Sequence, residues 1–288
     1  MSIFILKMIA LCTMIIDHIG AYLPNTPEIL RCIGRVSAPL FLFCAIQGYK
    51  NTTNRRRYIC RLYVFSILMG VIDSIFYVNA NYIRVILLTV VIISIIDALL
   101  DKEKFAKRNA LIFSVWQIFW GIFWGYYFLT YYIDIPESIL FILLPVLGSP
   151  LFMEYGMLFV ILGIFIYYYG DSKKMLSGIY AVATGVIFLF NNTSILQKAV
   201  YKSSEILQAS NIPSEMIWQV ADLIFDGFLD IDVRFLENNL FSSIQWLMIL
   251  ALPLFLQYNG KRGKNTKWIF YVAYPLNIVV LRIFGSIL

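Results

Sequence analysis

The chain has 288 residues, of which 60% are hydrophobic and only 14% charged, with a net charge of +6 and a mean hydropathy of +0.78. A soluble globular domain carries about a quarter charged residues, so a water-soluble fold around one apolar core is excluded. The positive excess does not point to nucleic acid either, because the basic residues fall in short clusters without the aromatic interleaving or fold signatures of such a site.

Long apolar runs occupy residues 3–22, 29–49, 58–78, 83–100, 111–132, 151–169, 175–190, 240–257 and 268–284. Most approach the ~20 residues needed to cross a ~30 Å hydrocarbon core. Inside a bilayer each backbone N–H and C=O must be paired within its own segment, so the runs are expected to be helices. A barrel would alternate polar and apolar positions, and residues 83–99 do not. The expected fold is therefore all-α: a polytopic membrane helix bundle with about nine spans, forming one domain over residues 1–288. The first run lacks a charged leader and a small-x-small exit and contains Asp17-His18, so it is read as a span and not as a cleaved signal.

Basic residues follow the even-numbered spans: Lys50, Arg55, Arg56, Arg57 and Arg61, then Lys102, Lys104, Lys107 and Arg108, then Lys173 and Lys174, then Lys261, Arg262, Lys264 and Lys267. The intervening short loops are nearly free of Lys and Arg. Positive charge marks the cytoplasmic side of short loops, which places the N-terminus inside and the C-terminus outside. Anionic headgroups would also hold these loops at the surface.

Two segments depart from the simple pattern. Residues 137–148 are apolar but too short to cross, and end at Gly148-Ser149-Pro150, which suits a re-entrant or interfacial helix. Residues 191–239 carry Asp222, Asp226, Asp230, Asp232 and Glu237 among apolar residues at helical spacing. They read as an extracytoplasmic insertion of amphipathic helices, able to cap a cavity or receive a partner. Cys12, Cys32, Cys44 and Cys60 match neither a metal spacing nor a disulfide framework, and no metal site is expected.

Ionisable residues inside spans are costly and are functional candidates. Here they are Asp17, His18, Arg35, Asp73, Glu154 and Arg282. At 1.5 Å per residue, His18 lies roughly 22 Å from the inner end of its run and Arg35 roughly 9 Å from the outer end of its own. All six are expected in the outer third of the membrane. One reading is a set of interhelical ion pairs that lock the bundle. The other is a reaction site in which His18, the single histidine of the chain, acts as general base on an amine or hydroxyl, since its pKa lies near neutral pH. Asp17 points about 100° away from His18 on a helix and is expected to pair with Arg35, leaving Asp73 or Glu154 to orient the ring.

The residues around the histidine carry a family likeness. Leu6-Lys7-Met8-Ile9-Ala10 and Met14-Ile15-Ile16-Asp17-His18-Ile19-Gly20 are followed by Ile33-Gly34-Arg35, Pro39-Leu40-Phe41, Gly48-Tyr49, Thr53-Asn54-Arg55, Tyr58 and Arg61-Leu62. Glu154-Tyr155-Gly156 comes later, then Leu252-Pro253, Tyr258-Asn259-Gly260-Lys261-Arg262-Gly263, Lys267, Phe270-Tyr271 and Tyr274-Pro275-Leu276. In this order, over nearly the whole chain, they resemble the TraX family of polytopic bacterial inner-membrane proteins, named for a pilin N-terminal acetylase.

The resemblance implies a relation to transmembrane acyltransferases. Such a protein would pass an acetyl group from cytosolic acetyl-CoA to an acceptor on the far side, whether a peptide N-terminus, an envelope glycan or a small molecule. His18, Asp17 and Arg35 would be catalytic. Arg55, Arg56, Arg57, Arg61, Tyr258, Asn259, Lys261, Arg262 and Lys264 would hold CoA. Asp73, Glu154, Tyr155, Asn277 and Arg282 would line the acceptor side. The chain departs from the family at Asn277, where His is usual, at Gln47 in place of Glu, and at Ala38 in place of an aromatic. A non-enzymatic transporter or assembly factor, with the polar cluster as a solute path, is the alternative; CoA binding separates the two.

Overall fold

The computed structural model describes residues 1–130, 136–208, 213–236, 239–264 and 267–287. Residues 131 and 132 of the fifth expected span, and Glu237, lie outside them. The described chain is helical, with no strand among the described residues. In order the helices are α1 (Ile3–Tyr22), α2 (Ile29–Gly34), α3 (Ser37–Lys50), α4 (Arg55–Phe76), α5 (Tyr82–Leu100), α6 (Ala106–Thr130), α7 (Glu137–Leu147), α8 (Gly156–Tyr169), α9 (Lys173–Asn192), α10 (Ile195–Gln208), α11 (Ser214–Leu229), α12 (Leu252–Leu256) and α13 (Lys267–Ile287). Among the described residues, six stretches are long and apolar enough to cross a membrane: α1, α2 with α3, α4, α5, α9 and α13. Each coincides with an expected span. Of the other three, α6 runs 25 residues, α8 only 14, and the eighth run is shorter still, a 3-10 turn over Gln245–Ala251 that continues into α12.

The surface explains the hydropathy. On α6, Leu111, Ile112, Val115, Ile118 and Ile122 are all more than half exposed, as are Val272, Leu276, Phe284 and Ile287 on α13. A soluble protein does not leave such contiguous apolar faces in water; in a bilayer they meet lipid. The chain is a multi-pass membrane protein.

Two compact units make up the chain. The first comprises Met1–Tyr58, Phe165–Phe188 and Ser243–Leu288; the second comprises Ile59–Ile164 and Leu189–Ser242.

In the first unit α1 packs on α2, α3 and α13, and α3 packs on the 3-10 turn. Leu6, Leu40, Leu42, Phe43, Ile46, Tyr49 and Tyr180 are fully buried. Phe43 stacks on Phe255, and Tyr180 meets Phe255 edge-on while donating its hydroxyl proton to the Met248 carbonyl at 2.7 Å. The 29–50 span is broken where its sequence requires it. Pro39 has no N–H for the Arg35 carbonyl one turn back, and just before it the backbone is tighter: the Arg35 and Val36 N–H groups bond to Cys32 and Ile33, three residues before them.

In the second unit α5 packs on α6, α6 on α11, and α10 on α11. Trp124, Leu144 and Leu151 form one buried cluster, and Val200, Ala221, Ile231, Val233 and Leu236 another. The described part of the 191–239 segment carries the helices α10 and α11, with Val200 and Ala221 buried on them; the helical spacing of its apolar residues is matched. Residues 137–148 form the short helix α7, closed by Gly148 in the left-handed region (φ 66°) with the Ser149 N–H on the Leu144 carbonyl.

Candidate functional site

Asp17 and His18 are neighbours on α1, so their side chains leave the helix about 100° apart. They reach different helices. Asp17 faces α2: its Oδ1 accepts from Arg35 Nη2 at 2.8 Å and its Oδ2 from Arg31 Nη1 at 2.9 Å. Both Asp17 and Arg35 have side chains about a tenth exposed, and Arg31 about a third. Arg35 also donates to the Arg31 carbonyl and to Gln245 Oε1. The expected Asp17–Arg35 pair is present, and a second arginine, Arg31, joins it. Arg31 escaped the sequence reading because it lies close to the end of its run, where a charge reads as a boundary.

Gly34 makes this clamp possible. A Cβ there would overlap the Asp17 carboxylate, so only glycine lets α2 approach α1 closely enough for both arginines to reach.

His18, buried at 8% exposure, faces α13. Its Nδ1 lies 2.7 Å from Asn277 Nδ2, and its ring packs against Tyr22 and Tyr274. The Arg282 guanidinium lies over the Tyr22 ring, 5.3 Å from its centroid. The first unit therefore gathers Asp17, His18, Arg35, Asn277 and Arg282. The group set against Nδ1 is Asn277, and not Asp73 or Glu154 as expected: Asn277 and Tyr274 are one helical turn apart on α13 and face α1 together.

The amide orientation sets what the imidazole can do. With Nδ2 toward the ring, the amide donates, Nδ1 accepts and the ring proton sits on Nε2, which makes Nε2 a donor. Turning the amide by half a turn puts Oδ1 in the same place; Nδ1–H then donates and Nε2 keeps a lone pair for a proton. The second arrangement is the one a general base needs.

Asp73, Glu154 and Tyr155 belong to the second unit. Asp73 is 2% exposed and accepts from the Ala80 N–H at 3.4 Å, closing the α4–α5 turn. Glu154 is not in the first turn of a helix as expected, because α8 begins only at Gly156. Phe152, Tyr155 and Gly156 all take left-handed φ values, and the Tyr155 N–H bonds to Asp230 Oδ2 at 2.8 Å. The Tyr155 ring packs on Phe159 and Tyr82. Arg84, passed over by the sequence reading because it sits two residues into α5, is 4% exposed.

The basic residues fall in two places. Arg55, Arg56 and Arg57 open α4, capped by Asn54, whose Oδ1 accepts from the Arg57 N–H. Arg55 donates to the Tyr167 hydroxyl at 3.0 Å and stacks over Tyr49. Arg61 lies beyond them in the second unit. The loop with Tyr258, Asn259, Lys261, Arg262 and Lys264 is tied to the chain start: Met1 donates to the Gln257 carbonyl, Asn259 to Met1, Ile3 to Lys261 and Phe4 to Arg262. Gly263, at φ 74°, has no room for a Cβ beside Ser2 and Phe4. The side chains of Lys261 and Lys264 remain exposed. All four cysteines are free thiols. Among the described residues no three His, Cys, Asp or Glu side chains come together.

No curated protein and no solved structure matches the chain. A family model described as TraX protein matches residues 2–209, which takes in Asp17, His18, Arg35, the arginines of α4 and Glu154-Tyr155-Gly156, and stops short of the Tyr258–Gly263 and Tyr274–Leu276 blocks. The match covers well over half of the chain, which therefore belongs to the TraX family.

Proposed function

We propose that the protein is a membrane-bound acyltransferase that moves an acetyl group from cytosolic acetyl-CoA to an amine or hydroxyl acceptor at the outer face of the bacterial plasma membrane. The observation that carries this reading is the buried imidazole of His18, held between an amide and two tyrosine rings on one side of α1 while Asp17 is neutralised by two arginines on the other. A carboxylate already paired with two guanidiniums competes little for the histidine's proton, so the ring is left to exchange protons with a substrate.

Acetyl-CoA would supply the acetyl group activated as a thioester. In the transfer His18 Nε2 takes the proton from the acceptor N–H or O–H as that atom bonds to the acetyl carbon. The carbon–sulfur bond breaks, and the thiol leaves with a proton returned by the imidazole. Asn277, through Oδ1, holds Nδ1–H and so keeps the lone pair on Nε2. Arg35 acts through Asp17 as a positioning residue.

The exposed Arg56, Arg57, Lys261 and Lys264 offer charge-assisted donors to the phosphates of CoA, and arginine forks suit bidentate contacts. Arg55 and Tyr258 would flank them. A nine-span topology with basic loops inside and α10–α11 outside puts donor and acceptor on opposite faces, with Glu154, Asp73, Tyr155 and Arg282 on the acceptor side.

The experiment is transfer of labelled acetyl from acetyl-CoA on the cytoplasmic side of membrane vesicles to material on the far side. His18→Ala is expected to slow it on the order of 10²–10⁴-fold; turnover equal to wild type contradicts the assignment.

A further inference from the structure

The second unit contains a cleft of about 280 Å³ that the acetyl-transfer reading does not use. Its walls are almost wholly apolar, built from Ile59, Leu87, Leu88, Val91 and Phe113. Tyr63, Trp116 and Val146 line its exposed part. Two of these are fixed in place. Tyr63 donates its hydroxyl proton to the Val146 carbonyl at 2.8 Å and Trp116 its indole N–H to the Leu147 carbonyl at 2.9 Å. These are terminal carbonyls of α7, which a helix end leaves without partners of its own, so the two aromatics join α4 and α6 to the end of α7 and hold the cleft open.

Within this apolar cleft stand polar groups that are deeply buried. Arg84 is 4% exposed and Ser149 1%. The Arg84 guanidinium donates one Nη2 proton to the Leu151 carbonyl, while its Nε–H, fully buried, has no partner. Gln117 Oε1 is also buried and without a partner. Asp73 acts on Arg84 electrostatically, but one of its oxygens is engaged with Ala80. Ser149 Oγ is occupied by the Leu151 N–H. An arginine edge with an unused donor, sunk in hydrocarbon, is costly unless something completes it.

We infer that this cleft binds a single-chain fatty acid, with its carboxylate at the Arg84 guanidinium and its alkyl chain along the α4–α5–α6 wall. The carboxylate supplies the missing acceptor, and the charge-assisted bond is of the strong class. Gln117 lines the same cleft, and turning its amide by half a turn exchanges the unpartnered oxygen for an NH2 donor. The volume lies just below the ~300–1,000 Å³ of drug-sized pockets, which suits one narrow chain. The exposed Tyr63–Trp116–Val146 part would lie against lipid, so the tail can continue into the bilayer. The site is separate from His18, which belongs to the first unit.

The test uses tritiated palmitate and the full-length protein in detergent. Saturable binding is expected, with hexadecanol, the same chain bearing a neutral head, competing at least tenfold less well. Leu88→Trp, which fills the cleft, is expected to abolish binding, and Val91→Phe serves if that variant misfolds. Arg84→Gln is expected to weaken binding at least tenfold, whereas His18→Ala leaves it unchanged. No saturable binding, equal competition by hexadecanol, or undiminished binding in a well-folded cleft-filled variant overturns the inference.

Discussion

Asp17 is the residue on which the first unit turns. It pairs with two arginines at once, one of them nine-tenths buried, and removing the carboxylate leaves both positive charges uncompensated. Asp17→Asn is expected to destabilise the unit by ~3–5 kcal/mol, read as a lowered thermal midpoint in detergent. Gly34→Ala attacks the same clamp sterically, because the new methyl overlaps the Asp17 carboxylate; overpacking of this kind costs about 1–3 kcal/mol. Asn277 is tested differently. Asn277→Leu keeps the shape but cannot hold Nδ1–H, so turnover is expected to fall about tenfold, the equivalent of one lost hydrogen bond of about 1.4 kcal/mol. KM for acetyl-CoA should stay unchanged. The 100° offset between neighbours on a helix made legible that Asp17 and His18 find different partners; that Arg35 pairs with Asp17 was expected, and that Arg31 joins it was not. The partner of His18 was not: it lies 259 positions away in sequence, and no local pattern says which of several polar residues a distant helix will bring.

At the scale of elements, the spans were legible wherever one helix meets the bilayer alone. α1, α4, α5, α9 and α13 agree with the apolar runs to within a few residues. The breaks were harder to see. The Pro39 break inside the second span and the late start of α8 come from backbone chemistry, a missing N–H in one case and consecutive left-handed residues in the other, and hydropathy is blind to both. The amphipathic pair α10 and α11 offers a pH test away from the spans. The Asp226 carboxyl is raised above its ordinary 3.8 by partial desolvation and then by the negative charges of Asp232 and Asp222. A carboxyl raised in the folded state binds protons more readily there than when unfolded. Its contribution is therefore present at low pH and lost as pH climbs from about 3.8 through the raised value. Asp226→Asn is expected to remove that loss and flatten stability against pH across this range. Arg234 bonds to Asp222 and Glu215, and these contacts strengthen its hold on its proton.

For the whole molecule, the question is where each face of the chain lies. Alternation of basic and neutral loops gives a sharp expectation. Single cysteines introduced at Arg56 or Lys261, in a variant lacking the four native cysteines, should react with a membrane-impermeant maleimide only after the membrane is opened. One at Lys198 on α10 should react in intact cells. Labelling of Lys261 and Lys198 positions from the same side would contradict the topology, and with it the separation of donor and acceptor. The family was legible because its residues cluster around one polar pair on α1 and recur in order.

The most direct measurement is therefore acetyl-CoA binding to the purified protein in detergent by calorimetry, comparing wild type with a Lys261→Ala/Arg262→Ala variant. Saturable binding to wild type, weakened at least tenfold in the variant, is the expected result and fixes the donor and its cytoplasmic entry. A well-folded wild-type protein that binds no acetyl-CoA would contradict the acyltransferase account at its root.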